Sequence, residues 1–358
     1  MGTFDFSRLG VLLIEDNNYV LQTIENLLRH FQFNRIATAK NGEEAIDYMK
    51  TLGAASSIIA PDIIISDLVM APINGLLFLR WTRTAKESTN RMVPFIMLSG
   101  AADGAYVHSA RDLGVTEFLA KPFSAEAVYK HLVKVIESPR QFITTTKYFG
   151  PDRRRQAQEL PGEERRVKNE DEVTIVYSAD KVVKPKTPSD VWYFRLPNTL
   201  KEKAGGAGLK GAAEMPMDLL EEAENQLERA ALDFTTWAQD YLKKLSDHCA
   251  QALEADAEGG RGKHFQEINL LALELRGQGG TFGYSLISTF GKMLYDSTLD
   301  GCCEDDNAVK IVQAHVDSMR AIIREKISGD GGKIGRELLA SLKKAITALD
   351  VVVDGKAE

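Results

Sequence analysis

Four aliphatic runs in the first third of the chain each end in groups able to do chemistry. Val11-Leu12-Leu13-Ile14 leads into Glu15-Asp16, Ile63-Ile64-Ile65-Ser66 into Asp67, Phe95-Ile96-Met97-Leu98 into Ser99, and the run from Thr116 to Leu119 is followed, after Ala120, by Lys121-Pro122. If each run is a strand, these groups lie at the carboxyl edge, where open α/β sheets bind their ligands. Carboxylates gathered in one crevice repel, and they stay ionised at neutral pH only around a cation. A few oxygen ligands completed by water suit Mg2+. Lys121 adds a compact positive charge and Ser99 a hydroxyl. Three carboxylates, a divalent ion, an ammonium and a hydroxyl can stabilise a phosphoryl group passing onto a carboxylate oxygen, a reaction that depends on positioning and charge neutralisation. Asp67 is the candidate acceptor. A lone Asp at a strand end is usually a helix cap, and Lys-Pro is usually a turn, so the signal lies in their joint occurrence.

The elements that must position these residues follow from periodicity. Strands are expected at 10–14, 35–39, 62–66, 94–98 and 116–119, and helical patterns with apolar residues three and four apart lie between them, such as Val20, Ile24, Leu27 and Leu28. Five β/α units imply a parallel sheet covered by helices on both faces. Strands three and four are apolar on both sides, as central strands must be.

These stretches resemble a response-regulator receiver domain across residues 1–138. The matching segments are Val11 to Asn17, Asp67 to Met70 with Gly75 eight residues after Asp67, Leu98-Ser99-Gly100-Ala101, and Phe118 to Phe123. The resemblance implies a flavodoxin-like, doubly wound (βα)5 sheet of order 2-1-3-4-5. It also implies Asp67 as phosphoacceptor, and Mg2+ held by Asp16, Asp67 and the Val69 carbonyl, with Glu15 assisting through water. Lys121 would sit on a phosphoryl oxygen, and Ser99 with Phe118 would form the switch pair. The proline expected after Met70 is displaced to Pro72. A dehalogenase-type phosphatase would need an acid where Val69 stands, and a flavodoxin would need a hydroxyl-rich loop where Glu15 to Asn18 stand.

Composition divides the rest of the chain. Residues 1–138 carry 13 basic and 15 acidic side chains, residues 139–203 carry 14 and 10, and residues 204–358 carry 17 and 26. The middle segment is the basic one. It holds Pro139, Pro151, Pro161, Pro185, Pro188 and Pro197 and the run Arg153-Arg154-Arg155, and reads as a connector with two strand-like pieces, 173–177 and 191–194, that could pair as a β-hairpin. The arginine run is read as solvated linker before it is read as an anion site.

After Gly205-Gly206 the chain is helical. Leu220, Ala223, Leu227, Ala230, Phe234, Trp237, Tyr241, Leu245, Cys249 and Leu253 form one stripe, and helices follow at about 264–281, 284–297, 306–327 and 334–349. This describes a four-helix bundle with an extra helix. Ala272 to Gly283 holds several glycines, each costing about 1 kcal/mol relative to alanine in a helix. The stretch is similar to the active helix of histidine-phosphotransfer domains, with Arg276-Gly277 at the lysine-glycine positions and Leu273 where the histidine would stand. His264, nine residues earlier, would face the opposite side. The resemblance therefore implies a pseudo-phosphotransfer bundle without its acceptor, with Arg276, Gly277 and Gly280 as docking candidates for its own or a partner's receiver. Self-association is a further use of such a bundle, and His248 or His315 are alternative acceptors.

No run approaches the roughly 20 apolar residues of a membrane-spanning helix, the first residues lack a signal-peptide pattern, and no basic recognition helix is present. A cytoplasmic, non-DNA-binding protein with three reduced cysteines is expected. The expected function is a two-component response regulator served by a sensor histidine kinase or phosphotransfer protein, with no effector enzyme. A constitutive scaffold or phosphate sink is the alternative.

Overall fold

The computed structural model describes residues 3–52, 60–99, 104–153, 174–176, 185–187, 190–194, 196–206, 216–255, 260–299 and 301–354. Among these, the chain divides into two compact units, one running up to Asn225 and one from Gln226 onward. No helix among the described residues is long and apolar enough to cross a membrane.

The first unit opens with a 3-10 turn at Phe6–Arg8. Five parallel strands and five helices then alternate: β1 Gly10–Ile14, α1 Asn18–His30, β2 Arg35–Ala39, α2 Gly42–Thr51, β3 Ile63–Asp67, α3 Gly75–Thr84, β4 Phe95–Ser99, α4 Gly104–Leu113, β5 Glu117–Ala120 and α5 Ala125–Glu137. The sheet order is β2-β1-β3-β4-β5. Every residue of β1, β3 and β4 is buried, which accounts for their unbroken apolar character. Strands three to five each lie one residue later than the apolar pattern suggested, because Asp67, Ser99 and Ala120 still pair within the sheet. Side chains at the helix starts fix the entry points: Asn17, Asn41, Asn74 and Ser124 each accept a hydrogen bond from a backbone N–H of the first turn.

The connector region contributes β6 Phe142–Thr144, β7 Phe149–Pro151, β8 Thr174–Val176, β9 Trp192–Phe194 and the short helix α6 Thr199–Lys203. These strands form a second sheet of order β7-β6-β9-β8. The expected hairpin of 173–177 with 191–194 needs correction, since β8 and β9 pair in parallel. The long connection between them leaves room for a crossover, whereas the tight turn from Thr144 to Phe149 makes the true antiparallel hairpin, β6–β7.

Arginines fasten this sheet to the first. Arg83, buried on α3, donates to the carbonyls of Gly114 at 2.9 Å, Arg91 at 2.8 Å and Val93 at 2.9 Å. Its guanidinium carbon stands 5.2 Å from the ring centre of Phe142, that of Arg91 4.4 Å from Phe149, and that of Arg153 4.4 Å from Tyr148. Arg153 also pairs with Asp112 at 2.8 Å. Arg154 and Arg155 lie outside the described residues.

Helices α7 Met217–Glu254, α8 Gly262–Gly279, α9 Ser285–Ser297, α10 Asp306–Arg324 and α11 Gly332–Asp354 complete the chain. Along α7 the buried positions Phe234, Ala238, Leu242, Leu245, Cys249 and Ala252 follow a 3.6-residue period. The stripe read from sequence runs slightly slower and drifts off this face, so its last member, Leu253, is half exposed. Burial pushes the Cys249 thiol up to about 11.

Helices α8 and α9 pack closely enough to explain two glycines. A Cβ on Gly279 would lie 2.7 Å from the Ser288 nitrogen, and one on Gly291 would lie 2.7 Å from the Arg276 nitrogen.

Candidate functional site

The sheet order places β1 beside β3 and β3 beside β4, so the ends of these strands and of β5 open onto one edge. Asn17 caps α1 immediately after β1, which confines Glu15 and Asp16 to the tight connection at that edge. Glu15 is buried, Asp16 exposed and Asp67 buried as the last residue of β3. One carboxylate oxygen from each of the three lies within 4.8 Å of the others.

Lys121 follows directly after β5 and donates its backbone N–H to the Ser99 carbonyl at 2.7 Å, which ties the end of β5 to the end of β4. Its ammonium stands 2.9 Å from Asp67 Oδ1 and 3.1 Å from Glu15 Oε2. Burial acts against the charge on Lys121, but Asp67 and Glu15 outweigh it and raise its pKa, so it remains an ammonium. Burial raises the Glu15 pKa well above the carboxylate range, helped by Asp67 and Asp16 and opposed by Lys121. Were Glu15 to ionise along with Asp16 and Asp67, the cluster with its one lysine would carry two excess negative charges, which a single divalent cation would offset. The donors are all hard oxygens and Asp16 keeps the site open to solvent, so the set fits Mg2+ with bound water.

The backbone beside Asp67 depends on Gly75 at the start of α3. A Cβ there would lie 2.2 Å from the Asp67 carbonyl oxygen, so a side chain would push apart the strand end and the helix that follows it. The sequence marked Gly75 only by its spacing; the reason for it is a close approach that no spacing reveals. Ser99 is buried at the end of β4, and Phe118 is half-buried on β5 against the core below. Val69 also packs its side chain on that core. Gly100 and Ala101 lie outside the described residues.

The docking candidates in the second unit separate. Gly277 is exposed, with no atom within 4 Å of where a Cβ would stand, and Arg276 lies beside it with its guanidinium 5.8 Å from the Tyr295 ring centre. Gly280 is buried, and its N–H donates to Ser288 Oγ at 2.7 Å. It faces α9 and is not part of an open patch. Leu273 is half-buried, and Leu270 is 56% exposed on the same side of α8. His315 is fully buried with Nδ1 2.8 Å from the Ile311 carbonyl, which removes it as a phosphate acceptor.

Residues 11–133 match the response regulator receiver domain family. The same region is 31% identical over 133 residues to the transcriptional regulatory protein CitT of Halalkalibacterium halodurans, covering 37% of this chain and 54% of that protein. It is 29% identical over 133 residues to the 3',5'-cyclic-nucleotide phosphodiesterase regA of Dictyostelium discoideum, covering 37% of this chain and 16% of that protein. Hybrid signal transduction histidine kinase D of the same organism is 27% identical over 135 residues, covering 37% of this chain and 8% of that protein. The match thus takes in little more than half of the length of one of these curated relatives and far less of the other two. Among solved structures, a Vibrio cholerae chemotaxis protein, CheY4, is 26% identical with a TM-score of 0.31, covering 36% of this chain and 98% of that one. The receiver domain of a Pseudomonas aeruginosa sensor histidine kinase, solved with magnesium in its active-site cleft, is 25% identical with a TM-score of 0.32, covering 36% and 98%. Residues 11–133 are therefore a response regulator receiver domain, homologous to those of two-component regulators and hybrid kinases, and a largely helical remainder follows it.

Proposed function

We propose that this protein is a phosphorylation-controlled signalling regulator in which Asp67 receives a phosphoryl group from a sensor histidine kinase or a phosphotransfer protein. The observation that carries this reading is the Lys121 ammonium held between Asp67 and Glu15, with Asp16 beside them. In the transfer, an Asp67 carboxylate oxygen forms a bond to phosphorus as the bond from phosphorus to the donor breaks, and the donor leaves with that electron pair. Lys121 donates to a phosphoryl oxygen and balances charge that the transition state spreads over those oxygens. Asp16, Asp67 and the Val69 carbonyl would hold Mg2+, with Glu15 assisting through water, and the ion would supply neutralisation of phosphoryl and carboxylate charge. Ser99 then turns its hydroxyl toward the new phosphoryl group, and Phe118 moves with it as the second half of the switch. The chain assists only its own phosphorylation and dephosphorylation and acts on no separate substrate.

Output passes through protein contacts of the C-terminal part. We divide the chain into a receiver at 1–138, a basic connector at 139–203 and a phosphotransfer-like four-helix bundle at 204–358 whose acceptor position is Leu273. The exposed face of α8 carrying Leu270, Leu273 and Gly277, with Arg276 at its edge, supports receiver docking without phosphotransfer. A cytoplasmic setting agrees with a domain whose donors are cytoplasmic kinases.

Beryllofluoride, which imitates a phosphoryl group on aspartate, tests the switch. With Mg2+ it should change amide hydrogen exchange in residues 226–354 of the wild-type chain and leave the Asp67→Asn variant unaltered. Exchange changes confined to residues 11–133 would instead favour a scaffold or phosphate sink.

A further inference from the structure

The first unit holds a cleft at the edge of its parallel sheet opposite Asp67. Asp62, Pro94 and Thr116 stand directly before β3, β4 and β5. They border a cavity of about 990 Å³, closed on its other side by β6, β7, β9 and the start of α6. That volume is at the upper end of the range of about 300–1,000 Å³ for small-molecule sites. Its apolar wall is formed by the rings of Phe142, Phe149 and Phe194, with neighbouring centres 5.8 and 5.7 Å apart. Lys86, Arg91 and Arg140 supply positive charge, against a single acid, Asp62, among the described lining residues. That acid is already engaged: Oδ1 is 2.6 Å from the Lys203 ammonium, and Oδ2 accepts from the Gly10 N–H at 2.9 Å.

The cations divide by task. Arg140 holds the wall together, donating to the carbonyls of Thr116 at 3.2 Å and of Asp152. Arg91 donates Nε to the Arg83 carbonyl at 2.7 Å and stacks on the Phe149 ring, which leaves its two terminal nitrogens without a hydrogen bond among the described residues. Lys86 is exposed and has no ion pair among them. We propose that this cleft binds a small organic anion with a flat aromatic body, whose rings lie against the phenylalanines while Arg91 and Lys86 hold its charge. The planar fork of Arg91 suits a carboxylate, sulfonate or phosphate group, and Lys86 adds a mobile point charge at the rim. Because the cleft lies at the amino ends of the strands and Asp67 at a carboxyl end, this is an input separate from phosphorylation. A ligand there touches both sheets at once, so its binding stabilises their junction by mass action.

The probe is anilinonaphthalene sulfonate, whose anionic group and aromatic rings match the two halves of the site. Titrated by fluorescence into the full chain, it should bind as one saturable equivalent, and naphthoate should displace it far better than uncharged naphthalenemethanol. Lys86→Glu exchanges an attraction for a repulsion and should raise the dissociation constant roughly threefold or more. Thr199→Trp, at an exposed lining position, should fill the cleft and abolish the bound equivalent. Lys147→Glu, the same reversal at an exposed lysine outside the cleft, should leave binding unchanged, as should Asp67→Asn, which separates this site from the phosphorylation reading. Far-UV circular dichroism confirms that each variant is folded, and either cleft variant alone suffices for the comparison. Undiminished binding in a folded cleft variant, equal displacement by naphthalenemethanol, or no uptake by the wild type overturns the proposal.

Discussion

At the scale of single residues, the site is a balance between three acids and one base. Lys121 can remain charged in a buried place only because Asp67 and Glu15 hold its ammonium, and Lys121 in turn offsets the repulsion between those acids. Gly75 is equally specific, because the Asp67 carbonyl occupies the space of its missing side chain. Replacing Gly75 with alanine should cost about 1–3 kcal/mol of stability through overpacking and should slow phosphorylation of Asp67. The matched control is Gly277→Ala on α8, where nothing lies within 4 Å of the new methyl group. That change should stabilise the chain by about 1 kcal/mol, the ordinary gain from removing glycine inside a helix. Urea unfolding of the two variants gives the opposite signs if the account of Gly75 is right. Glu15, Asp16, Asp67, Ser99 and Lys121 were all legible in the sequence, because a strand end fixes which edge a residue occupies. Neither the facing of His248 toward His264 nor the convergence of Lys86, Arg91 and three phenylalanine rings on one cleft was, because positions on different elements leave no periodic trace.

At the scale of elements, the parallel sheet was readable from its apolar runs, and the second sheet was only partly so. Three-residue strands such as β6 and β7 are too short to show alternation, and their place depends on distant arginines. Arg83 shows the energetics of that attachment: it donates to three carbonyls, those of Gly114 and Val93 in buried bonds and that of Arg91 in a partly buried one, and burial works to lower its pKa to about 9. Arg83→Met would leave those carbonyls without their donor at a cost of about 1–3 kcal/mol each, so the loss should reach about 3 kcal/mol or more in urea unfolding. Retention of wild-type stability would show that the carbonyls find other donors.

On α10, burial lowers the pKa of His315, while its bond to the Ile311 carbonyl acts the other way. The unfolded chain therefore takes up a proton at this position below about pH 6.5 that the folded chain resists. The stability linked to His315 is complete above that pH and falls as the solution is acidified through it, by at most about 1.4 kcal/mol per pH unit. His315→Leu should flatten this part of the pH dependence in thermal unfolding between pH 7 and pH 5. An unchanged slope would mean that His315 is protonated as readily in the folded protein.

At the scale of the whole molecule, a receiver built on a buried parallel sheet is joined in sequence to a helical unit of opposite charge balance from the connector between them. The charge steps at about residues 138 and 203 set off the expected connector, but they did not reveal that its described part forms a sheet in the same compact unit as the receiver. Composition reports solvation, and the two arginine–aromatic contacts that join the second sheet to the first, Arg83 with Phe142 and Arg91 with Phe149, depend on pairings distant in sequence. The helical unit was visible from its periodicity, while the close packing of α8 on α9 turns Gly280, which the sequence offered as a docking residue, toward Ser288 of α9.

The central claim is that Asp67 is the residue this assembly makes reactive toward a phosphate donor. Purified protein incubated with acetyl phosphate and Mg2+ and followed by intact mass spectrometry should gain one phosphoryl group, which hydroxylamine removes and which never forms on Asp67→Asn. A wild-type chain that gains nothing, or an Asp67→Asn chain that gains the same group, contradicts it.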